Sequence, residues 1–185
     1  MKNIIINSGT FISVVFISLF LLSCQKDDTD NPAPVNPGEL ITTVHMVLTD
    51  TVTGVVDTIS FIDLDGPGGT PPVIDSMIID AGTVYQLKLH LFDESKNPPL
   101  NISSEIEYEG DTHLFVFSSG LAESMALDND VNGNPVGLLN MLQSTNTGTG
   151  TFRVELRHYD SAALKDAGSQ SYETDIEIDF GLRVN

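Results

Sequence analysis

Hydrophobic and polar residues alternate over long parts of this chain, and this two-residue period strongly limits the folds available to it. Residues 85–91 read YQLKLHL, residues 152–158 read FRVELRH, and residues 172–180 read YETDIEIDF. Successive side chains of a strand point to opposite faces, so each segment predicts a β-strand with one buried and one solvent-facing side. Such half-buried strands are typical of antiparallel sheets.

The same reading predicts further strands and two short helices. Residues 49–54 lie between the first two strands and predict a hairpin turn. Asn101 would cap the first helix, in which Ile102 and Ile106 lie four residues apart on one face. The predicted segments are strands at 41–48, 55–62, 73–79 and 113–117 and helices at 102–109 and 120–127.

The fold class follows from the number and spacing of these strands. Turn signals separate short strands, and the chain lacks the long crossover helices of an α/β domain. The sequence therefore predicts an all-β fold for residues 40–185, a single antiparallel, immunoglobulin-like β-sandwich with one or two short helices. About 145 residues are enough for one domain with its own hydrophobic core.

Acidic residues of the last predicted strand alternate with its apolar residues. On a regular strand they would form one solvent-facing stripe, opposite the core. Arg153 and Arg157 could stand beside that stripe on a neighbouring strand and relieve its repulsion. The stripe consists of Glu173, Asp175, Glu177 and Asp179.

Residues 1–23 predict a lipoprotein signal peptide. Lys2 precedes the apolar run of residues 11–22, which is shorter than the roughly 20 residues that span a bilayer. Residues 21–24, LLSC, resemble a bacterial lipobox, in which the cysteine becomes the acylated N-terminus. Cys24 is the only cysteine, and a lone cysteine also suggests a reactive thiol or an intermolecular disulfide. Its place after the apolar run favours acylation, for example by palmitate, and an anchor in outer-membrane lipid.

The residues after Cys24 predict an address and a tether. Lys26, Asp27 and Asp28 resemble the short signal that sends lipoproteins of Bacteroidota-type bacteria to the outer face of the outer membrane. The alternative is a solvated cluster of charges. Residues 24–39 are rich in Pro, Asn and Asp, which predicts a flexible tether that buries nothing. The expected location is the cell surface, at the outer membrane.

The charge of the chain excludes one class of partner. The formal net charge is −18 at pH 7. A field of this sign repels the phosphate backbone, so nucleic acid is not expected as a partner.

A loop rich in Asp and Asn suggests a calcium site. Asp128, Asp130 and Asn132 occupy positions 1, 3 and 5 of a calcium-loop pattern, glycine occupies position 6, and Asn134 follows. Ca²⁺ takes six to eight oxygen ligands, which such alternation supplies around a turn. Position 12 is Leu139 rather than the usual bidentate glutamate. The alternative is an ordinary turn built from Asp, Asn and Gly.

Two histidines suggest a transition-metal site. His113 begins one predicted apolar strand face, and His158 ends another. At the rim of one apolar layer the two imidazoles, with Glu109 or Glu173, could hold Zn²⁺ or Cu²⁺. The alternative is a pair of core or rim histidines with ordinary hydrogen bonds, because no two histidines have the short spacing of a metal motif.

Signatures of catalysis are missing from the sequence. There is no G-x-S-x-G elbow, no H-E-x-x-H helix and no phosphate-binding G-x-x-x-x-G-K. The sequence therefore predicts a protein that is not an enzyme.

Several phrases together resemble a family of small lipoproteins of Bacteroidota-type bacteria, often labelled "type 1 periplasmic binding fold superfamily". Members of that family are often partners of TonB-dependent receptors, so the resemblance implies a TonB-dependent receptor as partner and a part in the uptake of scarce metals. The phrases are DLDGPGGTPP (63–72), YEGDTHLFVF (108–117), DNDVNGNPVGL (128–138), VELRHYD (154–160) and YETDIEIDF (172–180).

Two hypotheses of function follow. The first is a non-enzymatic surface lipoprotein whose sandwich binds a ligand or partner, accessory to TonB-dependent nutrient or metal uptake. The second is a structural or adhesive surface module whose loops are stiffened by calcium.

Overall fold

The computed structural model describes residues 39–185, which form eleven strands and two short helices. In chain order the strands are β1 (Thr43–Asp50), β2 (Val56–Ile62), β3 (Val73–Ile74), β4 (Ser76–Ile79), β5 (Val84–Asp93), β6 (Leu100–Asn101), β7 (His113–Ser118), β8 (Ala122–Ala126), β9 (Leu139–Ser144), β10 (Gly148–His158) and β11 (Glu173–Val184). The helices are α1 (Ile102–Tyr108) and α2 (Ala162–Asp166).

The strands form two sheets. Sheet A has the order β3-β2-β1-β5-β9-β8, with β6 paired to the end of β5, and sheet B has the order β4-β11-β10-β7. All pairings are antiparallel except that of β4 with β11. This architecture confirms the predicted all-β sandwich. Among residues 39–185 there is no helix with the length and apolar character needed to cross a membrane.

The core consists of the alternating apolar residues on which the prediction rested. Leu87, Leu89 and Leu91 of β5 are buried, whereas Gln86 and Lys88 between them are exposed. The apolar residues of β10 are also buried, as Phe152, Val154 and Leu156 show. Burying such side chains contributes about 1.5–3 kcal/mol each, which makes these faces the main source of stability.

The predicted strand at residues 73–79 is two strands in different sheets. Asp75 separates β3 from β4 because it forms hydrogen bonds with Ser60 of β2. Its N–H donates to the Ser60 carbonyl oxygen (2.9 Å), and its carboxylate accepts from the Ser60 N–H (2.9 Å). The chain then leaves sheet A, and β4 pairs with β11 in sheet B.

The predicted helices have different outcomes. The first is confirmed as α1, with Ile102 and Ile106 buried, although the Asn101 side chain makes no capping hydrogen bond. The helix predicted at residues 120–127 is wrong, because residues 122–126 pair with β9 and form the edge strand β8. Backbone pairing there overrides local propensity. Helix α2 was not predicted.

The predictions for the N-terminal segment lie outside the described residues. They concern the signal peptide at residues 1–23, the acylated Cys24, the export signal at Lys26, Asp27 and Asp28, and the tether up to residue 38. Glu39, which the sequence assigns to the tether, is the first described residue, and its side chain is 6% exposed.

Candidate metal centre

Sheet B places His113 and His158 side by side. The first residue of β7 and the last residue of β10 are cross-strand partners, so the two side chains share one face. Their ring centroids lie 4.5 Å apart. The His113 side chain is fully buried and that of His158 is 15% exposed. The two imidazoles therefore meet at the end of the apolar layer that Phe152, Val154 and Leu156 form.

A β-bulge turns Asp175 toward the same point. Leu156 pairs with Ile176, but the next residue, Arg157, pairs with Thr174, so Asp175 has no partner on β10. An extra residue of this kind re-aims the side chains of the bulged strand. The Asp175 side chain is 3% exposed, and its prediction as part of the solvent-facing stripe is wrong. Glu177 and Asp179, beyond the bulge, are exposed as predicted.

The fourth member of the group comes from outside the strands. Glu39 lies four residues before β1, which belongs to sheet A, yet its carboxylate reaches the histidines of sheet B. Its Oε1 atom lies 3.5 Å from Nε2 of His113. The group therefore combines one residue from the segment before sheet A with three residues from strands β7, β10 and β11 of sheet B.

The four side chains have the spacing of ligands to one ion. Asp175 places one carboxylate oxygen 3.9 Å from Nε2 of His113 and the other 3.9 Å from Nδ1 of His158. With one ligand atom from each residue, all four atoms lie within 4.8 Å of one another. Ligand atoms at about 2.0–2.2 Å from an ion in a tetrahedron lie about 3.3–3.6 Å apart, so a small contraction would close the shell.

Three buried polar atoms of the group lack a hydrogen-bond partner among the described residues. They are Oε2 of Glu39, Nε2 of His113 and Oδ2 of Asp175. Buried polar groups are nearly always satisfied, and leaving one unpaired costs about 1–3 kcal/mol or more if it is charged. Three such atoms on side chains of one buried group indicate an interaction that the side chains alone do not provide.

The ring of His113 is oriented for metal binding. Its Nδ1 atom lies 2.9 Å from the carbonyl oxygen of Glu109. A carbonyl oxygen accepts a hydrogen bond, so Nδ1 carries the proton, and in the neutral ring the lone pair is on Nε2. Metal-binding histidines are typically fixed in this way by a hydrogen bond on the other ring nitrogen.

Without an ion, two members of the group, Asp175 and His113, hold protons more tightly than isolated side chains would. Burial, and then repulsion by Glu39, raises the pKa of Asp175 to about 6. Burial alone would lower the pKa of His113, but its contacts with Glu39 and the Glu109 carbonyl oxygen reverse this and raise it. The contact with His113 lowers the pKa of Glu39, although burial opposes the change. A cation would replace protons at this centre.

The centre differs from the predicted one in its carboxylates. His113 and His158 do come together, but Glu109 contributes only its backbone carbonyl oxygen, and Glu173 is an exposed residue. Glu39 and Asp175 supply the carboxylates in their place. The bulge that turns Asp175 inward and the approach of Glu39 are tertiary features, so the period-two pattern gave no signal for either.

A buried Glu-His-His-Asp group of this geometry can hold a metal ion. No family model, curated protein or solved structure matches this chain. The donor atoms of the centre are two imidazole nitrogens and two carboxylates. Both ligand types suit Zn²⁺ and other divalent ions of the first transition row.

The predicted calcium loop is held together by internal hydrogen bonds. The Asp128 carboxylate accepts from the N–H groups of Gly137 and Leu138, both at 2.9 Å. One oxygen of Asp130 accepts from the N–H groups of Asn132 (2.8 Å) and Asn134 (2.9 Å).

A lysine provides the positive charge in this loop. The other oxygen of Asp130 lies 2.7 Å from Nζ of Lys165, and both side chains are nearly fully buried. Lys165 also donates to the carbonyl oxygen of Gly110. The Asn134 side-chain amide donates a hydrogen bond to the Asp166 carboxylate of α2 (2.6 Å). These contacts explain the loop as a structural turn, and Ca²⁺ would have to compete with the lysine.

Proposed function

We propose that this chain is a lipid-anchored protein of the bacterial outer-membrane surface whose β-sandwich binds one divalent transition-metal ion at Glu39, His113, His158 and Asp175. It is not an enzyme. Its role is accessory to metal uptake through a TonB-dependent receptor, which would be its partner. The anchor is Cys24, and Lys26, Asp27 and Asp28 direct the protein to the outer face.

One observation carries the metal-binding part of this proposal. Glu39, His113 and Asp175, from three chain segments, each carry a buried polar atom without a hydrogen-bond partner among residues 39–185, and their ligand atoms lie within 4.8 Å of one another. A cation among them would give these side chains the partner they lack. Removing charges from water is costly, and such a site persists when the charges are paired or coordinate a metal. A plain histidine pair with ordinary hydrogen bonds would leave the two carboxylates unexplained.

The donor atoms favour Zn²⁺. Two imidazoles and two carboxylates complete a tetrahedral shell, whereas Ca²⁺ prefers six to eight oxygens and Cu(I) prefers sulfur. Four protein ligands leave no coordination position for a substrate, which supports binding rather than catalysis.

The burial of the centre favours a second role for the same ion. Structural metal sites are closed and four-coordinate, and this one is nearly sealed from solvent. The protein would then be a structural or adhesive surface module stabilised by its ion. Exchange separates the two roles, because an ion carried as cargo has to leave within the time of transfer, whereas a structural ion exchanges only when the fold opens.

Metal analysis of natively purified protein, with calorimetric titration of the metal-free form, tests the proposal. We expect one Zn²⁺ per chain and loss of most binding in His113→Ala and in His158→Ala. His90→Ala is the matched control, because His90 lies on the other sheet at a cross-strand pair with His45. Full binding in both site variants, or equal loss in the control, would contradict the proposed site.

A further inference from the structure

The four proposed ligands differ in how firmly the fold holds them. His113, His158 and Asp175 lie on β7, β10 and β11, which are adjacent strands of sheet B. Ladder hydrogen bonds fix His113 and His158 as direct partners, and the pairs on both sides of the bulge fix the backbone around Asp175. These three side chains form a preorganised half of the centre.

Glu39 has no such support. Residues 39–41 make no backbone hydrogen bond to another described residue, and the first such bonds belong to Thr42. The Thr42 N–H donates to the carbonyl oxygen of Phe92 (3.0 Å), and its own carbonyl oxygen accepts from the Asp63 N–H (2.8 Å). Ile41 is buried, whereas Leu40 is 42% exposed. Residues 39–41, the lead-in segment, are thus held by side chains alone.

Without an ion, the Glu39 side chain is poorly paired in its buried position. Its Oε1 atom lies 3.5 Å from Nε2 of His113, at the limit of a hydrogen bond, and in the neutral ring that nitrogen carries the lone pair. Its other oxygen has no partner in the described part of the chain. A second carboxylate, that of Asp175, shares the same buried space. An ion removes the repulsion between the two carboxylates and gives Glu39 a strong bond.

We infer that Glu39 is the closing ligand of the centre: the three side chains of sheet B capture the ion, and Glu39 then binds it and docks the lead-in segment over it. This inference rests on the metal binding proposed above. The ligands then have different roles: the three side chains of sheet B bind the ion first, and Glu39 slows its release. The order of residues 39–41, where the chain enters the sandwich, then also depends on the metal.

Two measurements on the full-length protein in detergent micelles test this role. The first is the NMR order parameters of the Leu40 and Ile41 amides with and without Zn²⁺. We expect them to rise from below about 0.6 to about 0.85 on Zn²⁺ binding. The second is the Zn²⁺ affinity of Glu39→Gln, which we expect to fall at least about tenfold while binding persists, because loss of an outer-shell group alone costs about 10–100-fold. Zn²⁺ should leave the lead-in segment of this variant mobile.

Glu173→Gln is the matched control, since Glu173 is an exposed carboxylate beside the centre, and it should behave like the wild type in both measurements. Equal order of Leu40 and Ile41 with and without Zn²⁺, or full Zn²⁺-dependent ordering in Glu39→Gln, would overturn the closing role and leave metal binding intact. A wild-type protein that binds no Zn²⁺ would overturn the proposed function and this inference together.

Discussion

The Nε2 atom of His113 and a carboxylate oxygen of Asp175 lie 3.9 Å apart, and both are buried without a hydrogen-bond partner among the described residues. The distance is too long for a hydrogen bond and close to the spacing of two ligands on one ion. The bulge between β10 and β11 produces this relationship. The bulge turns the Asp175 side chain from solvent into a buried position, which lowers the stability of the fold unless a cation binds.

Asp175→Asn should therefore separate stability from binding. The amide removes a buried charge, so we expect the metal-free protein to gain about 1 kcal/mol in unfolding free energy at pH 7.5. The variant should lose most of its Zn²⁺ affinity. Urea unfolding with and without Zn²⁺ measures both effects. A variant that is less stable without metal would contradict the cost of the buried charge, and one that keeps wild-type affinity would show that Asp175 is not a ligand.

The pH dependence of stability should report the same group. The pKa of Asp175 is raised to about 6 in the folded state, so between about pH 4 and pH 6 the folded state binds more protons than the unfolded state, and stability falls as pH rises. The raised pKa of His113 has the same sign: its stabilising contribution is complete below the unfolded value and is lost as pH rises through the folded value.

The lowered pKa of Glu39 has the opposite sign, and its contribution is lost only as pH falls through its folded value. From pH 5 to pH 8 we therefore expect metal-free wild type to lose more stability than Asp175→Asn. Excess Zn²⁺ should cancel this fall, because ligands bind metal in their deprotonated forms. Urea midpoints across this range measure the difference. Parallel profiles for wild type and variant would contradict the role of Asp175.

Addition of Zn²⁺ should stabilise the wild type by mass action. At a free concentration 100 times the Kd, the gain in unfolding free energy is about 2.7 kcal/mol. Thermal unfolding measures it, and His113→Ala should abolish it. His45→Ala, on the outer face of sheet A, serves as control and should keep the full gain. Stabilisation that survives in His113→Ala would indicate binding elsewhere on this acidic protein.

The pair of Lys165 and Asp130 should be the most sensitive point of the predicted calcium loop. Lys165→Met leaves a buried carboxylate and the Gly110 carbonyl oxygen without their partner, which should cost about 3–5 kcal/mol in urea unfolding. Lys96→Met is the control, because Lys96 is 62% exposed and 3.8 Å from Asp93, and it should cost no more than about 0.5 kcal/mol. Similar losses in both variants would contradict a buried structural pair.

The alternating pattern predicted most of the fold. Strands such as β5 and β10 carry their own signal, because one face of each is apolar. The pairing of β8 with β9 and the division of residues 73–79 between two sheets depend on partners distant in sequence. Local propensity therefore placed a helix at residues 120–127.

The centre was half predictable for the same reason. His113 and His158 each lie at one end of an apolar strand face, and this position predicted that they meet at a shared rim. In a regular strand, Asp175 would face solvent like Glu177 and Asp179. The bulge turns it inward, and the alternation of polar and apolar residues in the sequence does not reveal a bulge. Glu39 reaches the centre because of the tertiary path of the chain. Its neighbours in sequence are rich in Pro, Asn and Asp, so the sequence predicted a tether there rather than a ligand. Asp130 is the opposite case. Its spacing resembles that of a calcium ligand, but in the structure its carboxylate pairs with Lys165.

The decisive measurement is anomalous X-ray diffraction at the zinc edge from crystals of the protein grown with one equivalent of Zn²⁺. We expect a single strong anomalous peak among Nε2 of His113, a ring nitrogen of His158 and the carboxylates of Glu39 and Asp175, at about 2.0–2.2 Å from each ligand atom. Crystals containing bound zinc that show no peak there, or whose only peak lies at other residues, would contradict the proposed centre.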